Sequence, residues 1–262
     1  MKKTLIALAV AASAVVSGSA MAWTQNGTGG SVNLGGTLTP TDVITPWEVK
    51  VGAAVNNLDA NVYKGQSVVN ISVNQAIPVL GIRTQSNTAF TGEQGISPRI
   101  DFNSAVDVNG FTNSVSTLTL DVNGVDGNKI GTMQAPFFAA ALTSKVGISG
   151  SFTKLWPTFA SGSDRSFGGG LPRNADAIAS DSLDRVVQVF PGVSDNFDTQ
   201  SIVALSGASN ADSFSDSNYK YSAFYGSGIE QGNKINIVLD SPAQGDDAIT
   251  WNASLPVTVS YQ

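Results

Sequence analysis

Neither histidine nor cysteine occurs in the chain, which removes the side chains behind most nucleophilic and metal chemistry. No Ser-His-Asp or Cys-His site can be built, nor a His/Cys zinc centre. Two carboxylates flanking a glycosidic bond remain chemically open. The only glutamates, however, are Glu48, Glu93 and Glu230, and no local pattern marks a pair. Asp121 to Gly127 looks like a calcium loop, but its sixth position is Asp126 rather than glycine and its twelfth is Thr132 rather than glutamate. A hairpin turn explains the same residues. The glycine runs at 29–30, 35–36 and 168–170 lack the following Gly-Lys-Ser/Thr of a phosphate loop. The expectation is a protein that is not an enzyme and needs no cofactor or metal.

A second group of side chains suits recognition. Trp156, Phe159, Phe167, Arg165 and Arg173 lie in a Gly/Ser-rich stretch, and binding residues are often carried on loops held by a rigid scaffold. An aromatic ring can stack on the apolar face of a sugar while arginine reaches its hydroxyls, so these five are the carbohydrate-binding candidates. The alternative for each aromatic is that it anchors the stretch to a core.

The scaffold must come from short strands. Trp47–Val51, Val69–Val73, Leu118–Val122 and Ile235–Leu239 alternate apolar with polar residues, the period of a strand with one buried face. Ile130–Met133, Phe137–Leu142 and Ala223–Ile229 are further strands. Asn109-Gly110, Asn123-Gly124, Asp126-Gly127 and Gly232-Asn233 are hairpin turns. This pattern predicts an all-β antiparallel sandwich. From Gly150 to about Ser217 the strand rhythm stops, and the stretch reads as an insertion. It holds one helix, capped by Asn174, with Ala179, Leu183, Val186, Val187 and Phe190 on one stripe and Pro191-Gly192 as its stop.

Both ends of the chain are informative. Residues 1–22 read as a secretory signal, with Lys2 and Lys3, an apolar core and Ala20-Met21-Ala22 for cleavage. No later segment is apolar enough to span a bilayer as a helix. The net charge of −6 disfavours nucleic acid and anionic lipid as partners. Gly30 to Leu38 alternates, with Val32, Leu34, Gly36 and Leu38 on one side. A lone strand cannot bury its apolar side and must join a sheet, its own or a neighbour's. The last strand is the clearest: Trp251, Ala253, Leu255, Val257, Val259 and Tyr261 share one face. Pro256 on the other face favours an edge.

These features resemble the large major-subunit adhesins of kappa-class chaperone–usher fimbriae of enterotoxigenic enterobacteria. The matching segments are Met1–Ala9, Asn26-Gly27 with Gly30–Gly36, Trp47–Gly52, Tyr225–Ile229 and Trp251 with Leu255–Tyr261. The resemblance implies an immunoglobulin-like fold lacking one strand, over residues 41–262, with the insertion at about 150–217. It implies that residues 23–40 form a donor-strand extension whose Val32, Leu34, Gly36 and Leu38 enter an identical subunit, one of a linear polymer. A periplasmic chaperone would first lend a strand along the groove edge formed by Leu255, Val257, Val259 and Tyr261, and an outer-membrane usher would carry assembly to the cell surface. The same subunit would bind host carbohydrate. The competing reading is a coat subunit or a secreted sandwich without sugar binding. An outer-membrane barrel is disfavoured because the strands are short and the chain lacks a terminal aromatic.

Overall fold

A computed structural model describes residue 25, residues 34–38 and residues 44–262. The leader and Val32 lie outside the described residues. Residues 34–38 carry no regular secondary structure, and Leu34 and Leu38 are 92% and 96% exposed.

Residues 44–262 are mainly β. In chain order the elements are β1 (Trp47–Val51), β2 (Val68–Ser72), β3 (Ile77–Thr84), β4 (Phe90–Thr91), β5 (Pro98–Asp101) and β6 (Val115–Asn123). They continue with β7 (Lys129–Gly147), β8 (Thr153–Phe159), α1 (Ser182–Val189), β9 (Ser209–Asn210), β10 (Tyr219–Ile229), β11 (Lys234–Leu239) and β12 (Thr258–Tyr261). All strand pairs are antiparallel except β8 with β9.

The order β1-β3-β10-β7-β11-β2 is organised by β7. The first part of β7 lies between β6 and β11, and its second part between β10 and β8. Its side chains alternate between two apolar clusters. Phe137, Ala139 and Ala141 join Leu80, Ile82, Leu118, Val122, Tyr225 and Ile235 in the main core. Phe138, Ala140 and Leu142 join Val186, Val189, Phe190 and Phe224 in a second cluster under α1. With both faces covered, Ala135–Leu142 within β7 reads as one continuous apolar run, the pattern of a strand buried on two sides. The two separate strands expected at 130–133 and 137–142 are therefore parts of one.

α1 sits close to the sheet because two glycines face each other beneath it. Gly226 on β10 pairs directly with Gly81 on β3. A Cβ at Gly81 would come 2.5 Å from the Phe190 ring, and one at Gly226 would come 2.6 Å from Val186 Cγ2. Arg185 then fastens the helix, with Nε and Nη2 donating to Glu230 Oε1 and Oε2 at 2.7 and 2.8 Å. Its guanidinium also lies 4.5 Å from the Phe138 ring centroid.

Two expectations are corrected. The stretch from Gly150 to Ser217 is not free of strands, since β8 extends the sheet within it. Leu155 and Trp156 are both buried and Pro157 interrupts the run, so no alternation marks β8. Nor does one helix run from Asn174. Asn174 Oδ1 caps a 3-10 turn, Ala175–Ala177, accepting from Ala177 N at 3.1 Å. Ile178 is extended, and α1 starts only at Ser182, with Val187 38% exposed.

Candidate strand-accepting groove

The C-terminal segment alternates as its sequence requires. Trp251, Ala253, Leu255, Val257, Val259 and Tyr261 are part-buried against the main core, whereas Asn252, Ser254, Pro256, Thr258 and Ser260 are exposed. Yet only its ends are held. Asn252 exchanges backbone hydrogen bonds with Asn123 at 2.8 and 2.9 Å, and β12 pairs with β5. Residues 253–257 make no backbone–backbone hydrogen bond among the described residues. Buried or half-buried backbone groups in folded proteins almost always find partners, so this row is an open edge.

Across from it runs a second open edge. β1 pairs with β3 on one side, and Gly52 N donates to Val79 O at 2.9 Å. Beyond Gly52 pairing stops, and residues 53–62 make no backbone–backbone hydrogen bond among the described residues.

Between the two edges lie two neighbouring cavities that share Trp251, of about 480 and about 500 Å³. The first is floored by Leu118, Leu120, Met133, Ile229 and Ile235 and walled by Leu58, Leu255 and Val257. The second is floored by Ile71, Val122, Ile237 and Leu239 and walled by Val62, with Asp59, Asp246 and Asp247 at its rim. Together they form an apolar trough whose two lips carry unpaired backbone. An extended chain laid in it could pair on both sides while its alternate side chains entered the core. Burial also raises the Tyr261 phenol above its ordinary pKa, opposed by a hydrogen bond involving Thr45.

Of the four residues expected at a groove edge, Leu255 and Val257 line the first cavity, whereas Val259 and Tyr261 lie on β12 and pair with β5. The facing lip was missed. Its alternation, Val51, Ala53, Val55 and then Leu58, Ala60, Val62, slips by one residue at Asn56-Asn57, and that slip hides the period.

The five carbohydrate candidates do not stay together on the surface. Trp156 is 3% exposed and Phe167 fully buried. Phe167 stacks on Tyr225 at 5.7 Å between centroids and meets Trp47 edge-on at 5.9 Å. Phe167 belongs to the main core, and neither buried ring presents a face to a sugar. Phe159 is part-buried on β8. Arg165 and Arg173 remain on the loop of residues 161–173. The Arg165 side chain is 45% exposed, and Arg173 Nη1 donates to Ser161 O at 3.4 Å.

The scaffold is all-β and antiparallel, with an apolar trough whose lips carry unpaired backbone among the described residues. The chain belongs to the family described as "Fimbrial, major and minor subunit", whose model matches residues 1–262. It is 30% identical over 285 residues to the K88 fimbrial protein AC of Escherichia coli and 29% identical over 287 residues to K88 fimbrial protein AD. To the F41 fimbrial protein of the same organism it is 28% identical over 286 residues, and each alignment covers 100% of both chains. Fimbrial subunits are structural parts of surface appendages, and they associate with one another.

Proposed function

We propose that this fimbrial subunit polymerises by strand exchange, the trough between residues 53–62 and 251–261 taking residues 30–38 of the next copy. The observation that carries the reading is the trough itself, with its apolar floor and two unpaired backbone lips. On this reading residues 41–262 are an immunoglobulin-like sandwich short of one strand. Residues 1–22 are a signal and residues 23–40 the donor extension. Val32, Leu34 and Leu38 enter the neighbour's core, and Gly36 lies where the trough is shallow. A periplasmic chaperone occupies the trough first, along Leu255, Val257, Val259 and Tyr261, and an outer-membrane usher exchanges it for the donor strand. The fibre also serves as an adhesin for host glycoconjugates.

Each buried aliphatic contributes about 1.5 to 3 kcal/mol, so three supply roughly 5 to 9 kcal/mol before ordering costs. Leu34→Asp places a carboxylate in that floor without a partner, at a cost that offsets much of the gain. Expressed with the secretion machinery, Leu34→Asp should give chaperone-bound subunit but no fibres by electron microscopy. Fibres of normal length from this variant would sink the proposal.

A further inference from the structure

With Trp156 and Phe167 buried, what remains at the loop of residues 161–173 is cationic. We propose that Arg99, Arg165 and Arg173 form a site for the carboxylate or sulfate group of an acidic host glycan, an inference that rests on the adhesin reading.

Backbone pairing brings Arg99 beside the loop that carries Arg165 and Arg173. Arg99 on β5 bridges in parallel to Gly168, with Phe167 N donating to Pro98 O at 2.7 Å and Ile100 N to Gly168 O at 3.0 Å. Paired residues on neighbouring strands share a face, so the Arg99 side chain leaves the sheet on the face where Gly168 has none. There the turn at residues 162–165 folds over. A Cβ at Gly168 would meet the carbonyl oxygens of Gly162, Arg165 and Ser163 at 2.6, 2.7 and 2.9 Å. Arg173 reaches the start of the same turn through its bond to Ser161 O, and Pro172 O accepts from Ala160 N at 2.8 Å.

Several guanidinium donors there are left over. Nε and Nη1 of Arg99 and Nε of Arg173 are buried and have no hydrogen-bond partner among the described residues, while both residues as wholes are only part-buried and reach the surface. An unmade guanidinium hydrogen bond costs more than a neutral one. The planar fork of N–H groups also matches a carboxylate or sulfate in shape and charge. Asp164 offsets part of the charge of this cluster. Asp164 is 3.8 Å from Arg165 Nε with its side chain 78% exposed, and Asp101 is turned to its own backbone, accepting from Asn103 N at 2.7 Å. Burial lowers the Arg99 guanidinium pKa; Asp164 opposes that shift, and Arg165 adds to it. In a chain of net charge −6 this is a concentrated spot of the opposite sign.

The test measures binding of the purified full chain, polymeric or not, to sialyllactose, sulfated lactose and neutral lactose at low and high salt. The wild type should prefer an acidic probe, and high salt should weaken that binding. Arg165→Gln with Arg173→Gln, and separately Arg99→Lys, should lose about tenfold or more toward the acidic probe while leaving neutral lactose unchanged. Arg165→Gln alone changes an exposed side chain and so remains readable if the others fold poorly. Sialyllactose preference assigns a carboxylate, and sulfated lactose preference a sulfate. Acidic-probe binding that is absent in the wild type, or equal in all variants, overturns the site. Fibre formation is scored separately by electron microscopy and tests only the polymer reading.

Discussion

Gly226→Ala isolates the close approach of α1 to the sheet. The added methyl would lie 2.6 Å from Val186 Cγ2, 3.4 Å from Phe190 Cβ and 3.5 Å from Val193 Cγ2. Val186 is fully buried, and Phe190 is itself seated on Gly81, so neither can withdraw without lifting the helix. Overpacking of this kind costs about 1 to 3 kcal/mol. For a chain of this size each kcal/mol corresponds to about 2 to 4 °C in melting temperature. Val186→Ala alone, which leaves a void in the second cluster, should cost about 2 kcal/mol. Combined, the two changes should relieve each other, because the alanine removes the methyl that the new Cβ strikes. A coupling of about 1 kcal/mol or more is expected from a double-mutant cycle in urea. Additivity within about 0.5 kcal/mol would refute the argument that Val186 is what requires a glycine here.

Three other outcomes follow from the same packing. A copy of residues 27–40 joined after Gln262 by a short flexible linker should fill the trough and give a soluble monomer. It should melt well above the unextended chain, and no rise would mean the trough takes another segment. Arg185→Ala should lower stability by about 1 to 3 kcal/mol in urea titration, since it leaves the one-fifth-exposed Glu230 side chain without its bidentate donor. Burial raises the phenol pKa of both Tyr221 and Tyr225 above the ordinary 10.0, so the folded state holds their protons more tightly than the unfolded chain does. Their contribution is complete below about pH 10 and is lost as pH rises beyond it. Urea midpoints should therefore be flat through neutral pH and fall above about pH 10, less steeply in Tyr225→Phe.

Strands with one buried face declared themselves in the sequence. β6 shows this most clearly, its burial alternating residue by residue from Ser116 to Val122. β3 and β8 did not, because neighbours cover both their faces and β8 carries Pro157. In β3, Gly81 replaces an apolar residue because Phe190 needs the space. Of the trough, the C-terminal lip was legible through its unbroken period of two. The other lip was not, since Asn56-Asn57 shift the register. Residue type alone could not tell which way an aromatic faces: Phe167 has positive φ of 56° and turns inward onto Tyr225. Arg99 went unnoticed because its partners, the turn at residues 162–165, lie more than sixty positions along the chain.

β7 also bears on how such a subunit carries load. Four strands hydrogen-bond along its 19 residues, two on each edge, and its alternate side chains enter both apolar clusters. The two clusters are joined by one continuous covalent backbone, so tension on either is passed to the other without crossing a loop. Pulling along β7 loads the ladders to β6 and β10 in shear, where many hydrogen bonds resist together. β12, held to β5 by only four residue pairs, has no such reserve. Under force the subunit should yield first at its C-terminal edge, with the two clusters around β7 still intact.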